Sequence, residues 1–190
     1  NLFRSLINIY KSMGVQTMAT FDGYMRSTVF NFLPLLVGVL KGVIFFMSDL
    51  LRTITVPVNV DFIAISRYSP GQQAKGPVRL IKDLDESVEG RHLLFVEDVI
   101  DTGLTLSYLL RILRARNPAS LEVCTLFDKP GRRLANITLR YKGFDLPDRF
   151  VVGYGLDHRE AYRHLPYVAE LTPGVLGIRE VRGQDGKPKE

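Results

Sequence analysis

Three carboxylates lie within five residues of one another in the segment Phe95-Val-Glu-Asp-Val-Ile-Asp-Thr-Gly-Leu-Thr-Leu106. They belong to Glu97, Asp98 and Asp101, and they follow an apolar run that is typical of a buried strand. Because like charges repel and burial removes their water, such a cluster is costly unless cations or hydroxyl groups use it. The spacing therefore indicates a ligand site at the end of a strand.

The turn Asp101-Thr-Gly-Leu-Thr105 leads into a helix-like run and favours phosphate binding. The start of a helix leaves four backbone N–H groups unpaired and carries positive dipole character. With the hydroxyls of Thr102 and Thr105, these groups can cradle a phosphate, and Gly103 lets the backbone approach it closely. A structural alternative remains open at this point, since Asp101 or Thr102 could serve only as the N-cap of the helix.

Strand-like and helix-like segments alternate along the chain, which predicts an α/β fold with a mostly parallel sheet. Leu106, Leu109, Leu110 and Leu113 repeat at helical spacing and predict an amphipathic helix over 102–116. A further helix is predicted over 42–52. The predicted strands cover residues 34–40, 56–68, 91–96, 121–127 and 150–154.

Composition excludes several classes of protein. The single cysteine, Cys124, rules out an intramolecular disulfide framework, is expected in the core and suits a cytoplasmic location. The net charge of +5 comes without a block of like charges, so we expect no nucleic-acid partner. The apolar part of residues 29–51 runs for roughly a dozen residues, short of the ~20 needed to cross a bilayer, so no membrane span is predicted.

Four motifs together resemble the hypoxanthine/guanine branch of the phosphoribosyltransferases, which bind 5-phosphoribosyl-1-pyrophosphate (PRPP). Beside the acidic segment and its turn, they are Leu36-Val-Gly-Val-Leu-Lys-Gly42, Asp128-Lys-Pro130 and Phe150-Val-Val-Gly-Tyr-Gly-Leu-Asp157. The resemblance covers roughly residues 34–173. It implies a type I phosphoribosyltransferase fold, a mostly parallel twisted sheet flanked by helices with a small hood, as a single domain over 1–180. Residues 1–33 do not match the family's usual charged segment, and 181–190 are expected to form a disordered tail.

The resemblance also implies roles for the acidic segment. A purine ring nitrogen attacks the anomeric carbon of PRPP, and pyrophosphate leaves. Glu97 and Asp98 would face the ribose hydroxyls and Mg²⁺, and residues Asp101, Thr102, Gly103, Leu104 and Thr105 would hold the 5′-phosphate. Asp101 would be the general base that removes the purine proton. Lys41 and Gly42 would bind pyrophosphate, with a cis peptide at the Leu40–Lys41 step.

The purine-binding roles come from the same resemblance. Lys129 would donate to O6 of the base, Phe150 would stack on the ring and the Val151 backbone would bond the base edge. Asp157 would serve a second Mg²⁺ or the exocyclic edge, and Arg163 would pair with pyrophosphate oxygens. Tyr68 would stand at the start of a lid formed by residues 69–76. The family usually has a small hydroxyl residue just before this tyrosine, and Arg67 takes its place here.

The expected function is purine salvage, in which PRPP and hypoxanthine or guanine give IMP or GMP and pyrophosphate. We expect a homodimer or a homotetramer. Two alternatives stay open: a nucleotide-sensing regulator that contacts RNA on the same fold, and an enzyme that prefers xanthine.

Overall fold

The computed structural model describes residues 33–67 and 78–172. The predicted lid residue Tyr68, the loop that follows it, the predicted tail and nearly all of the atypical first 33 residues lie outside the described residues. None of the helices in the described part of the chain is long and apolar enough to cross a membrane.

The described residues form a six-stranded sheet with helices between its strands, which confirms the α/β prediction. The strands lie in the order β3-β2-β1-β4-β5-β6, and every neighbouring pair is parallel except β2 and β3. Central strands of a parallel sheet are covered on both faces, which explains their near-continuous apolar sequences. The strands are β1 (Leu35–Leu40), β2 (Asn59–Arg67), β3 (Val78–Lys82), β4 (His92–Ile100), β5 (Ser120–Asp128) and β6 (Tyr141–Asp145).

Two α-helices and one 3₁₀ helix connect these strands. Helix α1 (Ile44–Thr53) buries Phe46, Met47 and Leu50, and helix α2 (Leu104–Arg114) buries the four leucines predicted from their spacing. The leucine stripe packs in one core cluster with residues of the central strands, among them Phe95 and Val123. The 3₁₀ helix (Pro130–Arg132) follows β5 directly.

The described residues divide into two compact units between Asp148 and Arg149. Up to residue 172, the second unit contains two short antiparallel strands, β7 (Val151–Val152) and β8 (Ala169–Glu170). The strand predicted over 150–154 is therefore shorter than expected. Gly153 and Gly155 have positive φ angles of 92° and 96°, so the backbone turns where the apolar sequence continues. The single-domain assignment over 1–180 stays a prediction.

Two boundaries near the acidic segment also differ from expectation. Strand β4 was predicted to end at Val96 but continues to Ile100, so Glu97 and Asp98 lie within the strand. Backbone pairing of Glu97 with Thr125 and of Ile100 with Asp128 extends it. Helix α2 begins at Leu104, two residues later than predicted. Cys124 lies fully buried in β5, as expected, and burial raises the pKa of its thiol to about 12.

Leu109 tests how much the leucine stripe of α2 stabilises the fold. Its side chain is 1% exposed, and Leu109→Ala should lower the free energy of unfolding by about 2–5 kcal/mol because it leaves a cavity. Leu104 in the same helix is 55% exposed, so Leu104→Ala makes the same chemical change with an expected cost below about 1 kcal/mol. Urea unfolding of both variants measures the difference. Equal losses would contradict the described packing of α2.

Candidate functional site

The carboxyl ends of β1, β4 and β5 meet at one edge of the sheet because these strands are parallel neighbours. Strand β1 pairs with both β2 and β4. The strands that follow β1 in the chain first lie on one side of it, as β2 and β3, and then on the other side, as β4, β5 and β6. Open α/β sheets bind ligands in the crevice at such a switch point. Lys41 and Gly42 follow β1, Asp101 follows β4 and Lys129 follows β5.

A cavity of about 210 Å³ lies at this edge. The acidic segment and its turn supply most of its lining, which includes Glu97, Asp101, Thr102, Gly103 and Thr105. Val39 of β1 and Ile65 of β2 complete the wall. Most of the residues predicted to bind the phosphorylated sugar therefore share one concave surface, as a ligand site requires, whereas Asp98 and Leu104 do not line it.

Glu97 and Asp98 are adjacent in β4, and the environment of Glu97 shifts the pKa of its carboxyl group. Burial raises that pKa well above its ordinary value, and the negative charge of Asp98 raises it further. The Asp98 carboxylate accepts a hydrogen bond from the Val99 N–H at 2.7 Å through Oδ1. A cation beside the pair would offset the repulsion and the desolvation.

The donor set fits a hard divalent cation that takes part of its ligands from elsewhere. Within 33–67 and 78–172, no group of three or more His, Cys, Asp or Glu side chains is gathered to hold a metal ion. Mg²⁺ commonly binds through one or two carboxylates together with substrate phosphates and water. Glu97 and Asp98 can supply such a pair of carboxylates.

The loop after β1 comes close to the acidic pair. A Cβ atom added to Gly42 would overlap the carboxylate oxygen Oδ2 of Asp98, so only glycine fits there without displacing that side chain. The peptide between Leu40 and Lys41 is cis, as the resemblance implied. Lys41 is exposed, and its carbonyl oxygen accepts a hydrogen bond from the Ile44 N–H at 3.4 Å.

The turn from Asp101 to Thr105 has a glycine at the N-cap position of α2. Gly103 occupies the N-cap position of α2 with a φ angle of 76°, in the left-handed region, and itself has no side chain to cap the helix. The Leu104 N–H donates instead to Oγ1 of Thr102 at 3.5 Å. A Cβ atom at this position would approach Ile137 Cδ1 to 3.1 Å. The alternative in which Asp101 or Thr102 is the N-cap is therefore wrong, and the Asp101 carboxylate is engaged elsewhere.

The loop from Lys129 to Ala135 lies along the turn and contacts it at several points. The Lys129 N–H donates to the Ile100 carbonyl at 2.9 Å, and the Leu134 and Ala135 N–H groups donate to the Thr102 carbonyl at 2.9 and 3.1 Å. Between these backbone contacts, Nε of Arg132 donates to Oδ1 of Asp101 at 2.9 Å. The hydrogen bonds fix the loop and the turn to one another.

The next residue in this loop neutralises a buried carboxylate. Nε of Arg133 donates to Oδ1 of Asp128 at 2.9 Å, where Asp128 ends β5 and is 5% exposed. Sequence reasoning assigned no role to Arg132 or Arg133. The available signal was a Pro-Gly turn followed by two arginines, since the turn returns the chain towards the preceding strand ends.

Four predicted site residues belong to the second unit. Phe150 is 42% exposed and contacts His158 edge-on at 5.4 Å, so it is not a core residue. Val151 lies in β7. Asp157 and Arg163 are brought together, because the Arg163 guanidinium lies 2.8 Å from Asp157 Oδ1 and also donates to the Gly155 carbonyl at 2.8 Å. The roles predicted for these four residues stay predictions.

Comparisons with known proteins agree with the geometry. The family described as phosphoribosyl transferase domain matches residues 24–159. The hypoxanthine-guanine phosphoribosyltransferase of Bacillus subtilis is 51% identical over 142 residues, which are 75% of this chain and 79% of that one. The protein of the same name from Staphylococcus aureus is 44% identical over 169 residues, 88% of this chain and 89% of that one.

Solved structures extend the similarity to the fold. A hypoxanthine-guanine phosphoribosyltransferase from Bacillus anthracis, crystallised with a HEPES molecule in its active site, superposes with a TM-score of 0.73. The two chains are 37% identical, and the match covers 90% of this chain and 91% of that one. The mostly parallel sheet is therefore shared along nearly the whole length of both chains.

The raised pKa of Glu97 predicts that this carboxyl opposes folding at neutral pH. The folded chain binds the Glu97 proton more tightly than the unfolded chain does. Proton binding by Glu97 therefore favours the folded state at acidic pH, and this stabilisation is lost as pH rises through the raised pKa. Without ligands, Glu97→Gln should therefore stabilise the protein at pH 8 by about 1 kcal/mol, or roughly 2–4 °C in Tm. The gain should shrink towards pH 5.

Differential scanning calorimetry at the two pH values measures this effect. Glu89→Gln removes the same charge from an exposed position and serves as the control. A Tm gain that is equal at pH 5 and pH 8, or a loss at pH 8, would contradict the described environment of Glu97.

Proposed function

Since the chain belongs to the phosphoribosyl transferase family, we propose that it is a purine salvage enzyme that transfers the 5-phosphoribosyl group of PRPP to hypoxanthine or guanine. The products are IMP or GMP and pyrophosphate. The observation that carries this proposal is the cavity at the carboxyl ends of the strands, lined by the acidic segment and its glycine turn. Two curated relatives that bear the enzyme's name support the same assignment.

The reaction forms a bond between a purine ring nitrogen and the anomeric carbon of PRPP. The bond from that carbon to pyrophosphate breaks, and pyrophosphate leaves with the electron pair. Asp101 accepts the proton that the purine loses at N7. The turn from Asp101 to Thr105 holds the 5′-phosphate by backbone N–H groups and hydroxyls, which keeps the sugar in place during transfer.

We assign the binding of pyrophosphate and of a cation to residues after β1, in β4 and in the second unit. Lys41 and Gly42 bind pyrophosphate, and Arg163 is assigned to its oxygens. Glu97 and Asp98 orient the ribose hydroxyls and would hold a divalent cation, for which we propose Mg²⁺. Such a cation would supply positive charge to offset the negative charge of the departing pyrophosphate.

Selectivity for 6-oxopurines is assigned to the residues that follow β5 and to those around β7. Lys129 donates to O6 of hypoxanthine or guanine, and a cation at that point disfavours the 6-amino group of adenine. Phe150 stacks on the base, the Val151 backbone bonds its edge and Asp157 serves the exocyclic edge or a second cation. The half-exposed ring of Phe150 supports its role, because a core ring would be covered.

Tyr68 and the loop after it are proposed to close over the bound substrates and exclude water. We propose a cytoplasmic homodimer or homotetramer. The comparisons do not support the alternative of a nucleotide-sensing regulator, since the curated relatives are named as transferases. The preference among hypoxanthine, guanine and xanthine depends on contacts near Asp157.

A direct assay tests the proposed function. We expect PRPP-dependent nucleotide formation with hypoxanthine and guanine, little with adenine, and none after removal of divalent cations with EDTA. Added Mg²⁺ should restore it. Xanthine is the decisive further substrate, because a higher kcat/KM for xanthine than for hypoxanthine would replace this proposal with a xanthine-preferring enzyme. No product with any of the four bases would overturn it.

Asp101→Asn tests the general base. Removing the proton acceptor should lower kcat by about 10²–10⁴-fold with little change in the KM for PRPP, because general-base catalysis contributes on that order. Steady-state kinetics with varied PRPP separate the two parameters. Asp148→Asn removes a carboxylate from the same region, where it accepts from Arg132 at 3.3 Å, and should have a much smaller effect. Unchanged turnover in Asp101→Asn would refute the base assignment.

A further inference from the structure

Arg132 contacts the proposed general base through one oxygen only. Its Nε atom lies 2.9 Å from Oδ1 of Asp101. Among the hydrogen bonds of the described residues, this is the one that reaches the Asp101 carboxylate, and it engages Oδ1 rather than Oδ2. A carboxylate held at one oxygen by a planar guanidinium has a defined orientation.

The backbone places Arg132 at this position independently of the ion pair. Arg132 ends the 3₁₀ helix, and its N–H donates to the Lys129 carbonyl at 3.0 Å. Lys129 is hydrogen-bonded to Ile100 and Leu134 to Thr102, the two residues that flank Asp101. The loop is thus anchored on both sides of the carboxylate that Arg132 contacts, so the guanidinium does not need the ion pair to stay nearby.

The exposure of the pair argues against a mainly structural role. The side chains of Arg132 and Asp101 are 44% and 47% exposed, and ion pairs in such surroundings contribute little to stability because water screens them. In the same loop, Arg133 pairs at 2.9 Å with the buried Asp128, whose other oxygen lies 3.9 Å from Lys142, so Arg133 helps to neutralise a buried charge. Of the two adjacent arginines, Arg133 binds a buried structural carboxylate and Arg132 binds the carboxylate of the proposed general base.

We propose that Arg132 is a positioning residue, which holds Oδ1 of Asp101 so that Oδ2 faces the proton of the bound purine. This inference rests on the proposed function, in which Asp101 is the base. The guanidinium cannot itself accept the proton, since arginine stays protonated in proteins. Its contribution is to fix the acceptor before the substrate arrives, which reduces the reorganisation that the reaction requires.

The test is a double-mutant cycle between Arg132→Met and Asp101→Asn. Arg132→Met should lower kcat between about tenfold and a hundredfold while the KM for PRPP changes less than about threefold, as expected for lost alignment. In the Asp101→Asn background the same substitution should change kcat by less than about twofold, because residues that act as a unit are not additive. Arg132→Lys, which keeps the charge and the stem, should recover part of the loss.

Arg116→Met is the matched control. Arg116 makes two hydrogen bonds to Asp83, at 2.7 and 2.8 Å, and lies beyond the carboxyl end of α2, whereas the turn lies at its start. Its substitution should leave kcat unchanged. Tm measured for all variants reports folding, and Arg132→Lys keeps the test available if Arg132→Met folds poorly.

The outcomes separate the two proposals. Equal losses of kcat from Arg132→Met in both Asp101 backgrounds, an unchanged kcat or an increased kcat would overturn the positioning role while the base assignment stands. If Asp101→Asn itself retains full turnover, the base assignment fails and the positioning role fails with it.

Discussion

The parallel pairing of β1, β4 and β5 is the constraint on which the site depends. Val37 pairs with Phe95 and Val96 with Cys124, so the three strands run in register from the buried core to one edge. Because all three point the same way, each delivers its following loop to that edge. A ligand that spans a sugar phosphate, a pyrophosphate and a base can then meet residues that are far apart in sequence.

Charge balance at this edge distinguishes structural from functional carboxylates. Asp128 is buried and has Arg133 beside it, and Asp101 is half-exposed and has Arg132. Glu97 differs, because the influences on its pKa are its own burial and the negative charge of Asp98. In the proposed function, a cation with its diphosphate would offset the burial of Glu97 and its repulsion from Asp98. The fold thus places a carboxylate that burial disfavours where the proposed ligand would supply positive charge.

Much of the sheet followed from local patterns, and the misses have a common cause. The leucine stripe predicted α2, and the apolar runs predicted β1, β4 and β5. Strands β3 and β6 were not predicted, since each is an edge strand covered on fewer sides and carries exposed residues such as Ile81 and Phe144. The length of β4 was underestimated because charged residues normally end a buried strand, whereas pairing with β5 continues through Glu97.

The sequence by itself determined the acidic segment, the glycine turn and the helix after it, because these are contiguous and their chemistry follows from residue type and spacing. It also specified the resemblance that identified Lys41, Lys129 and Phe150 as candidates. Only the tertiary structure decided that a Cβ at Gly42 would overlap the Asp98 carboxylate, that Gly103 is the N-cap of α2, and that Arg132 contacts the proposed base. The contacts of Gly42 with Asp98 and of Arg132 with Asp101 join residues that are 31 or more positions apart, and local sequence patterns do not predict such contacts before the strands pair.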